Sequence, residues 1–180
     1  MKLSIVIPAL NEEETIGIVV KKGVDAIFKL GIQGEVIVSD NGSQDATCSV
    51  AQRAGARVVH APSKGYGGAL QGGFAAALGE YVLMADADDS YNLEEIKPFL
   101  DKLDEGYEFV MGNRYWGKKY KGAMPFLHRY LGTPLLTLIM NILFKPGVGD
   151  INCGMRAFRL EAYQRMQCTS PGMEFASEML

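Results

Sequence analysis

Short, nearly uninterrupted apolar runs recur along the first part of the chain, at residues 3–7, 35–39, 57–60, 81–85 and 109–111. Such runs fit strands buried on both faces, as in a parallel sheet covered by helices on each side. Between them the apolar positions change to helical spacing, over residues 13–30, 45–54, 68–78 and 93–103. Asn11, followed by Glu12, Glu13 and Glu14, reads as a helix cap with acid in the first turn. Strand and helix therefore alternate, and the pattern predicts an α/β fold of the nucleotide-binding kind with a mainly parallel central sheet.

The pattern changes after residue 113. Residues 114–125 form a Gly- and Lys-rich stretch with interleaved aromatics. Residues 130–144 are uncharged and apolar on almost every side, interrupted by Gly132, Thr133, Pro134, Thr137 and Asn141. Two structures fit this segment: a helix buried in the core, or a helix lying in a membrane interface between Arg129 and Lys145. The last residues carry no helix-stop signal, so the chain is expected to continue beyond Leu180.

Charge sharpens the division. Residues 1–108 hold nine Lys and Arg against seventeen Asp and Glu, whereas residues 109–149 hold six basic residues and no acid. A patch so one-sided points to an anionic partner, phosphate or a lipid surface, and the acidic remainder argues against nucleic acid. The three cysteines, Cys48, Cys153 and Cys168, have no metal-knuckle spacing, so a reducing compartment is expected and a disulfide framework is not. His60 and His128 are too scattered to predict a metal site. The first apolar run ends at Pro8, too short for a signal-peptide core, and no uncharged run reaches the ~20 residues of a membrane span. The expected location is cytoplasmic, peripheral to or anchored at the membrane face. Self-association is left open.

The chemistry concentrates where the run at 81–85 breaks into Asp86, Ala87, Asp88, Asp89 and Ser90. Carboxylates at the carboxyl end of a strand in an open α/β sheet face the crevice where ligands bind. In extended chain Asp86 and Asp88 point the same way, about 7 Å apart from two strand rises. Three clustered carboxylates repel one another unless a cation sits among them, and hard oxygen ligands suit Mg²⁺ or Mn²⁺ shared with substrate phosphates. Alone, such a D-x-D is more often a solvated acidic turn. The run from Gly65 to Gly72 is not a dinucleotide fingerprint, because it does not follow the first strand and no ribose-binding acid follows it.

The D-x-D is preceded by Ser4-Ile-Val-Ile-Pro-Ala-Leu-Asn-Glu-Glu-Glu and Val38-Ser-Asp-Asn-Gly-Ser-Gln-Asp-Ala-Thr. It is followed by Gly112-Asn-Arg-Tyr, His128-Arg129, Asp150-Ile-Asn-Cys-Gly-Met-Arg156 and Gly172-Met-Glu-Phe-Ala-Ser-Glu178. In this order the motifs resemble the family 2 glycosyltransferases of GT-A fold over essentially the whole chain. The resemblance is strongest to the polyprenyl- and dolichyl-phosphate sugar synthases, such as dolichol-phosphate-glucose synthetase. It implies one GT-A catalytic domain over residues 1–180, with a nucleotide-sugar half (1–113) and an acceptor half (114–180). Pro8, Ala9, Leu10 and Glu12 would wall the nucleotide pocket, Asp40 would meet the base, and Lys64 and Gly65 would lie beside the nucleotide with Ala87. Asp86 would contact the ribose and the metal shell, Asp88 would be the main metal ligand, and Ser90 stands where a sister branch uses Gln as a further ligand. Arg114 and Arg129, with Thr133 as a neutral donor, would hold acceptor and donor phosphates. Asp150 matches the catalytic base of hydroxyl-accepting relatives; with a phosphate acceptor it would instead orient Arg156 or the sugar. Glu174 and Glu178 would cap a terminal helix or reach the sugar.

The implied function is metal-dependent, inverting transfer of a hexose, glucose by preference, from a UDP- or GDP-sugar to a polyprenyl phosphate at a membrane surface. Transfer to a sugar hydroxyl and non-catalytic nucleotide-sugar binding are the alternatives. The single tryptophan, Trp116, stands outside any Q-x-x-R-W pattern, which argues against a processive synthase. A sugar-1-phosphate nucleotidyltransferase would need a Gly-rich, Arg-containing loop after the first strand, and none is there.

Overall fold

In the computed structural model, which describes residues 1–114, 133–144 and 147–180, the predicted alternation of strand and helix is present. Strands β1 (Leu3–Ala9), β2 (Gly34–Asp40), β3 (Arg57–His60) and β4 (Tyr81–Met84) are mutually parallel, joined through α1 (Ile16–Leu30), α2 (Thr47–Ala54) and α3 (Tyr66–Ala76). A 3-10 turn at Leu93–Glu95 leads into α4 (Lys97–Asp104), with Pro98 in its first turn, and then β5 (Phe109–Met111). After α5 (Thr133–Phe144) come β6 (Arg156–Arg159), α6 (Leu160–Met166) and the short α7 (Phe175–Glu178). The six-stranded order is β3-β2-β1-β4-β6-β5, and β6 runs antiparallel to both of its neighbours.

Strand alternation divides the interior into two layers. Leu3, Ile5 and Ile7 of β1, with Val36, Val38, Tyr81 and Leu83, face Ile16, Val19, Val20 and Ala26 of α1, Ala51 of α2, and Leu100 and Leu103 of α4. Val6, Ile37, Val82 and Met84 face the opposite way, onto Leu70 and Phe74 of α3, Phe158, and Phe175 of α7. Phe74 is the hub of this second layer, edge-on to Phe158 at 5.1 Å and to Tyr163 at 4.8 Å, geometries that aromatic quadrupoles favour.

Three expectations change. Asn11 does not cap α1: it adopts a left-handed φ of 56°, and its Oδ1 accepts the Gln44 N–H at 2.8 Å. Glu13 accepts the Ala46 N–H at 2.8 Å, and the Glu12 N–H reaches Thr47 Oγ1 at 2.7 Å. The polar run after β1 is thus used to sew the β1 loop to the β2 loop, and α1 starts only at Ile16. β6 and α6 have no counterpart in the apolar pattern, because the strand opens with an arginine. Arg156 is buried, and its N–H groups are satisfied by the carbonyl oxygens of Cys153 (3.0 Å), Ile151 (3.1 Å) and Ala176. Finally, α5 is not a buried core helix. Thr137 and Asn141 face the protein, with Asn141 bonding both the N–H and the C=O of Val148 and Thr137 accepting the Ile151 N–H. Leu135, Leu136, Leu138, Ile139 and Ile142 are left 42–65% exposed. No helix among the described residues is long and apolar enough to cross a membrane.

Candidate functional site

The parallel strands end on one side of the sheet, and a cleft of about 280 Å³ opens there. Pro8, Ala9, Leu10 and Glu12 come to it from the end of β1 and the loop beyond, and Asp86, Ala87 and Asp88 from the end of β4. Asn41, Gly65, Tyr66 and Ala69 complete the lining. A crevice outside the carboxyl ends of the strands is where open α/β sheets bind ligands.

Asp86 lies at the floor, where its Oδ1 accepts the Tyr66 hydroxyl at 2.9 Å. On its other side a Cβ at residue 154 would lie 2.6 Å from Oδ2, so this approach requires Gly154. Burial pushes the Asp86 carboxyl above its ordinary value; the Tyr66 bond opposes this, the Asp88 charge adds to it, and the Arg156 and Arg114 charges offset part of it. Tyr66 and Tyr91 are pushed up in turn, chiefly by burial, and remain protonated donors or acceptors at neutral pH. Tyr91 accepts the Gly154 N–H at 2.7 Å, fixing the backbone against which Asp86 rests.

Asp88 is exposed and has one oxygen bonded to the Ser90 N–H at 3.0 Å. The third carboxylate is not part of the group. Asp89, at φ 60°, turns onto Lys22 of α1, with contacts of 2.6 and 2.8 Å. Part of the repulsion expected among three acids is therefore relieved by an ion pair, and two carboxylates face the cleft. Ser90 is exposed and enters the group through its backbone N–H. Two carboxylates from one strand end, one of them half-buried and short of positive partners, fit a hard divalent cation that brings further oxygen ligands with its substrate.

Asp40 ends β2 beside the cleft rather than in its lining. Its oxygens accept the N–H groups of Gly42 (3.1 Å) and Ser43 (3.0 Å), and His60 Nδ1 lies 3.2 Å away. Burial would raise this carboxyl, but the bonds from Ser43, then Gly42 and His60, outweigh it and hold the group below its ordinary value. Lys64 is also outside the lining, with its Nζ donating to the Asn41 carbonyl at 2.7 Å. Asn41 was overlooked beside Asp40 in the same motif. Its side chain accepts the Gly65 N–H and donates to the Ser63 carbonyl, both at 2.8 Å, and so shapes the loop that edges the cleft.

The same loop is clasped from the far end of the chain. Gly67 and Gly68 donate to the carbonyls of Gly172 and Pro171, and a Cβ at Gly65, itself at φ 102°, would lie 2.3 Å from the Pro171 oxygen. Glu178 accepts the N–H groups of Thr169 and Ser170, and Glu174 accepts that of Gly172. Both acids therefore brace this clasp.

Asp150 bonds Arg114, not Arg156. The pair is bidentate, Nε to Oδ2 at 2.7 Å and Nη2 to Oδ1 at 2.8 Å, with Asp150 fully buried. The Arg114 N–H and the Asn152 N–H also reach this carboxylate. Asp150 pushes the Arg114 guanidinium further up, so the charge is permanent. Arg129 lies outside the described residues, as do His128 and Trp116. Thr133 opens α5, but its side chain is outside the described set.

Residues 4–166 match the family described as Glycosyl transferase family 2. The chain is 41% identical over 179 residues to the low-salt glycan biosynthesis hexosyltransferase Agl6 of Haloferax volcanii, covering 99% of this chain but 43% of that protein. It is 35% identical to the dolichyl-phosphate hexose transferase of the same organism, covering 93% of this chain and 70% of that one. Among solved structures, glucosyl-3-phosphoglycerate synthase from Mycobacterium tuberculosis, in complex with Mn²⁺, UDP and glucosyl-3-phosphoglycerate, superposes with a TM-score of 0.63 at 31% identity. That match covers 89% of this chain and 57% of that one. The chain thus spans less than half of Agl6 and just over half of the synthase. With the cleft at the strand ends and its carboxylate pair, these matches establish that the chain belongs to glycosyl transferase family 2.

Proposed function

We propose that the chain binds a UDP- or GDP-hexose in the strand-end cleft with Mg²⁺ or Mn²⁺, and transfers the hexose with inversion to a polyprenyl phosphate at a membrane surface. Asp86 and Asp88, which both line the cleft, carry this reading. The M. tuberculosis synthase, captured with Mn²⁺ and UDP, supports the donor class and the metal. When bound, a divalent cation held by Asp88 and Asp86 supplies positive charge against the departing diphosphate. The chain's own residues do the rest. Pro8, Ala9, Leu10, Glu12, Gly65 and Ala87 bound the nucleotide, Asp40 and Lys64 flank it, and Tyr66 fixes the Asp86 carboxylate. Arg114, pre-aligned by Asp150, presents a permanent positive charge to phosphate oxygens. An acceptor phosphate is already ionised and needs no base. Its oxygen bonds the anomeric carbon from the face opposite the diphosphate, and the old C–O pair leaves with the diphosphate. Arg129 and Thr133 are assigned to the acceptor side, in the half from residue 114 onward.

The lipid acceptor is supported by the dolichyl-phosphate hexose transferase relative and by the outward apolar face of α5. In sequence α5 follows a stretch rich in Lys and Arg and free of acid, a combination that suits an anionic interface. One observation favours a second reading, a soluble phosphorylated acceptor: the M. tuberculosis synthase holds glucosyl-3-phosphoglycerate. Calorimetric titration of UDP, GDP, UDP-glucose and GDP-mannose, each with and without Mn²⁺, tests the donor site. Binding of one base only with metal is expected, and no binding to a folded sample would overturn the proposal. Assays with dolichyl phosphate and with 3-phosphoglycerate then separate the two acceptors.

A further inference from the structure

The ends of β2 and β3 and the first turn of α2 bring together a trio unlike the carboxylate pair that lines the cleft. Asp40, Cys48 and His60 each offer a ligand atom, and the three atoms lie within 4.8 Å of one another. Among the described residues it is the one set of three or more His, Cys, Asp or Glu that meets this spacing. A tetrahedral zinc site with bonds of about 2.0–2.3 Å places its ligands roughly 3.3–3.8 Å apart, so modest side-chain rotation closes the set. The pieces have that freedom. His60 is 78% exposed on its side chain and already stands 3.2 Å from Asp40, and Cys48 forms no disulfide and is only partly buried. Each Asp40 oxygen accepts one backbone N–H and retains acceptor capacity. The sequence concealed this, because His60 looks isolated until β2 and β3 pair Asp40 with His60 in register.

We propose that Asp40, Cys48 and His60 form a second cation site, selective for a borderline-soft divalent ion such as Zn²⁺ and distinct from the hard-ion pair Asp86 and Asp88. Thiolate and imidazole prefer such an ion, whereas Mg²⁺ takes oxygen ligands only. On binding, the Cys48 S–H bond breaks, sulfur donates the electron pair to the metal and the proton passes to solvent; a water completes four-coordination. Where Asp40 meets the nucleobase, as the family resemblance implies and resting on the functional reading above, the ion and the base draw on the same carboxylate, so the ion competes with the donor nucleotide.

The test is a zinc titration against a chromophoric zinc indicator in millimolar Mg²⁺, comparing the wild-type chain with Cys48→Ser and His60→Ala, each checked for folding by circular dichroism. One zinc per chain is expected, with affinity falling ~10-fold or more in each variant. Unchanged zinc affinity in both variants would overturn the site. In a second arm, UDP is titrated with and without zinc. Zinc should weaken UDP binding to the wild type and not to Cys48→Ser; equal UDP affinity with zinc bound would overturn the competition. The zinc arm reads metal alone, so it stands or falls separately from the nucleotide-sugar reading.

Discussion

Asp40 and Asp86 stand at or just beyond the carboxyl ends of β2 and β4, the two strands that flank β1, yet the protein treats them in opposite ways. Asp40 is enclosed by donors from its own turn, and its carboxyl is held low. Asp86 is enclosed by apolar and tyrosyl neighbours, has one hydroxyl donor, and is held high with Asp88 beside it. A carboxylate anchored by the backbone N–H groups of its own turn is stabilised in its charged form by the fold. One that is desolvated without a matching cation is a cost the fold carries at a site where a ligand can relieve it.

The contrast can be broken first at the exposed partner. Asp88→Ala should reduce hexose transfer ~100-fold or more while the melting temperature stays within a degree or two, because its side chain supports no packing. Activity within threefold of wild type would remove the carboxylate pair from the chemistry. Next in size, Tyr66→Phe deletes the donor to Asp86 and should cost roughly tenfold in transfer, with a higher requirement for metal. A metal dependence identical to wild type would show that Tyr66 only packs.

The two carboxylates should then give opposite signs on neutralisation. Asp40→Asn turns an amide toward a backbone N–H and should destabilise the fold by about 1–2 kcal/mol in a urea melt. Asp86→Asn, without divalent cation, should stabilise it by a smaller amount at neutral pH. The pH slopes follow. Asp40 has a folded value below its unfolded one, so its contribution is full above the unfolded value and lost as pH falls through the folded one. Asp86 has a folded value above its unfolded one, so its penalty is full at neutral pH and lifts as pH falls through the folded value. The advantage of Asp86→Asn should therefore shrink on acidification, and that of wild type over Asp40→Asn should shrink too, at lower pH. Denaturant melts from pH 7 to pH 3 check both; slopes of one sign would undo the comparison.

What was legible in the sequence follows the same physics. β1, β2 and β4 were readable because strands buried on both faces must be mostly apolar, and β3, the edge strand, because Val58 and Val59 sit between the exposed Arg57 and His60. The D-x-D stood out only through the ordered motifs around it, since three acids after an apolar run read by themselves more often as a solvated turn. The fate of Asp89 was not readable, since Lys22 lies 67 positions away and only the docking of α1 brings it near. Tyr66, Tyr91 and Gly154 were passed over for the same reason: each acts on Asp86 through a contact the fold creates. Glu174 and Glu178 were open between capping a terminal helix and reaching the sugar, and in the fold they accept backbone N–H groups of the 169–172 loop. α5 could not be assigned from its composition, because a helix apolar all round looks the same whether protein or another medium covers it. The inward placement of Thr137 and Asn141 decides which side the protein takes.

The insertion of β6 between β4 and β5 has a consequence for synthesis. Among the described residues β5 pairs with no other strand, and β6 is the strand that covers the β4 edge opposite β1. About 70 residues separate the end of β4 from the start of β6. At roughly 5–20 residues per second, a ribosome leaves that apolar edge uncovered for several seconds or more. Throughout that interval the nascent sheet offers a ready template for another chain, and the buried Arg156 at the start of β6 has a charge to desolvate as it closes the gap.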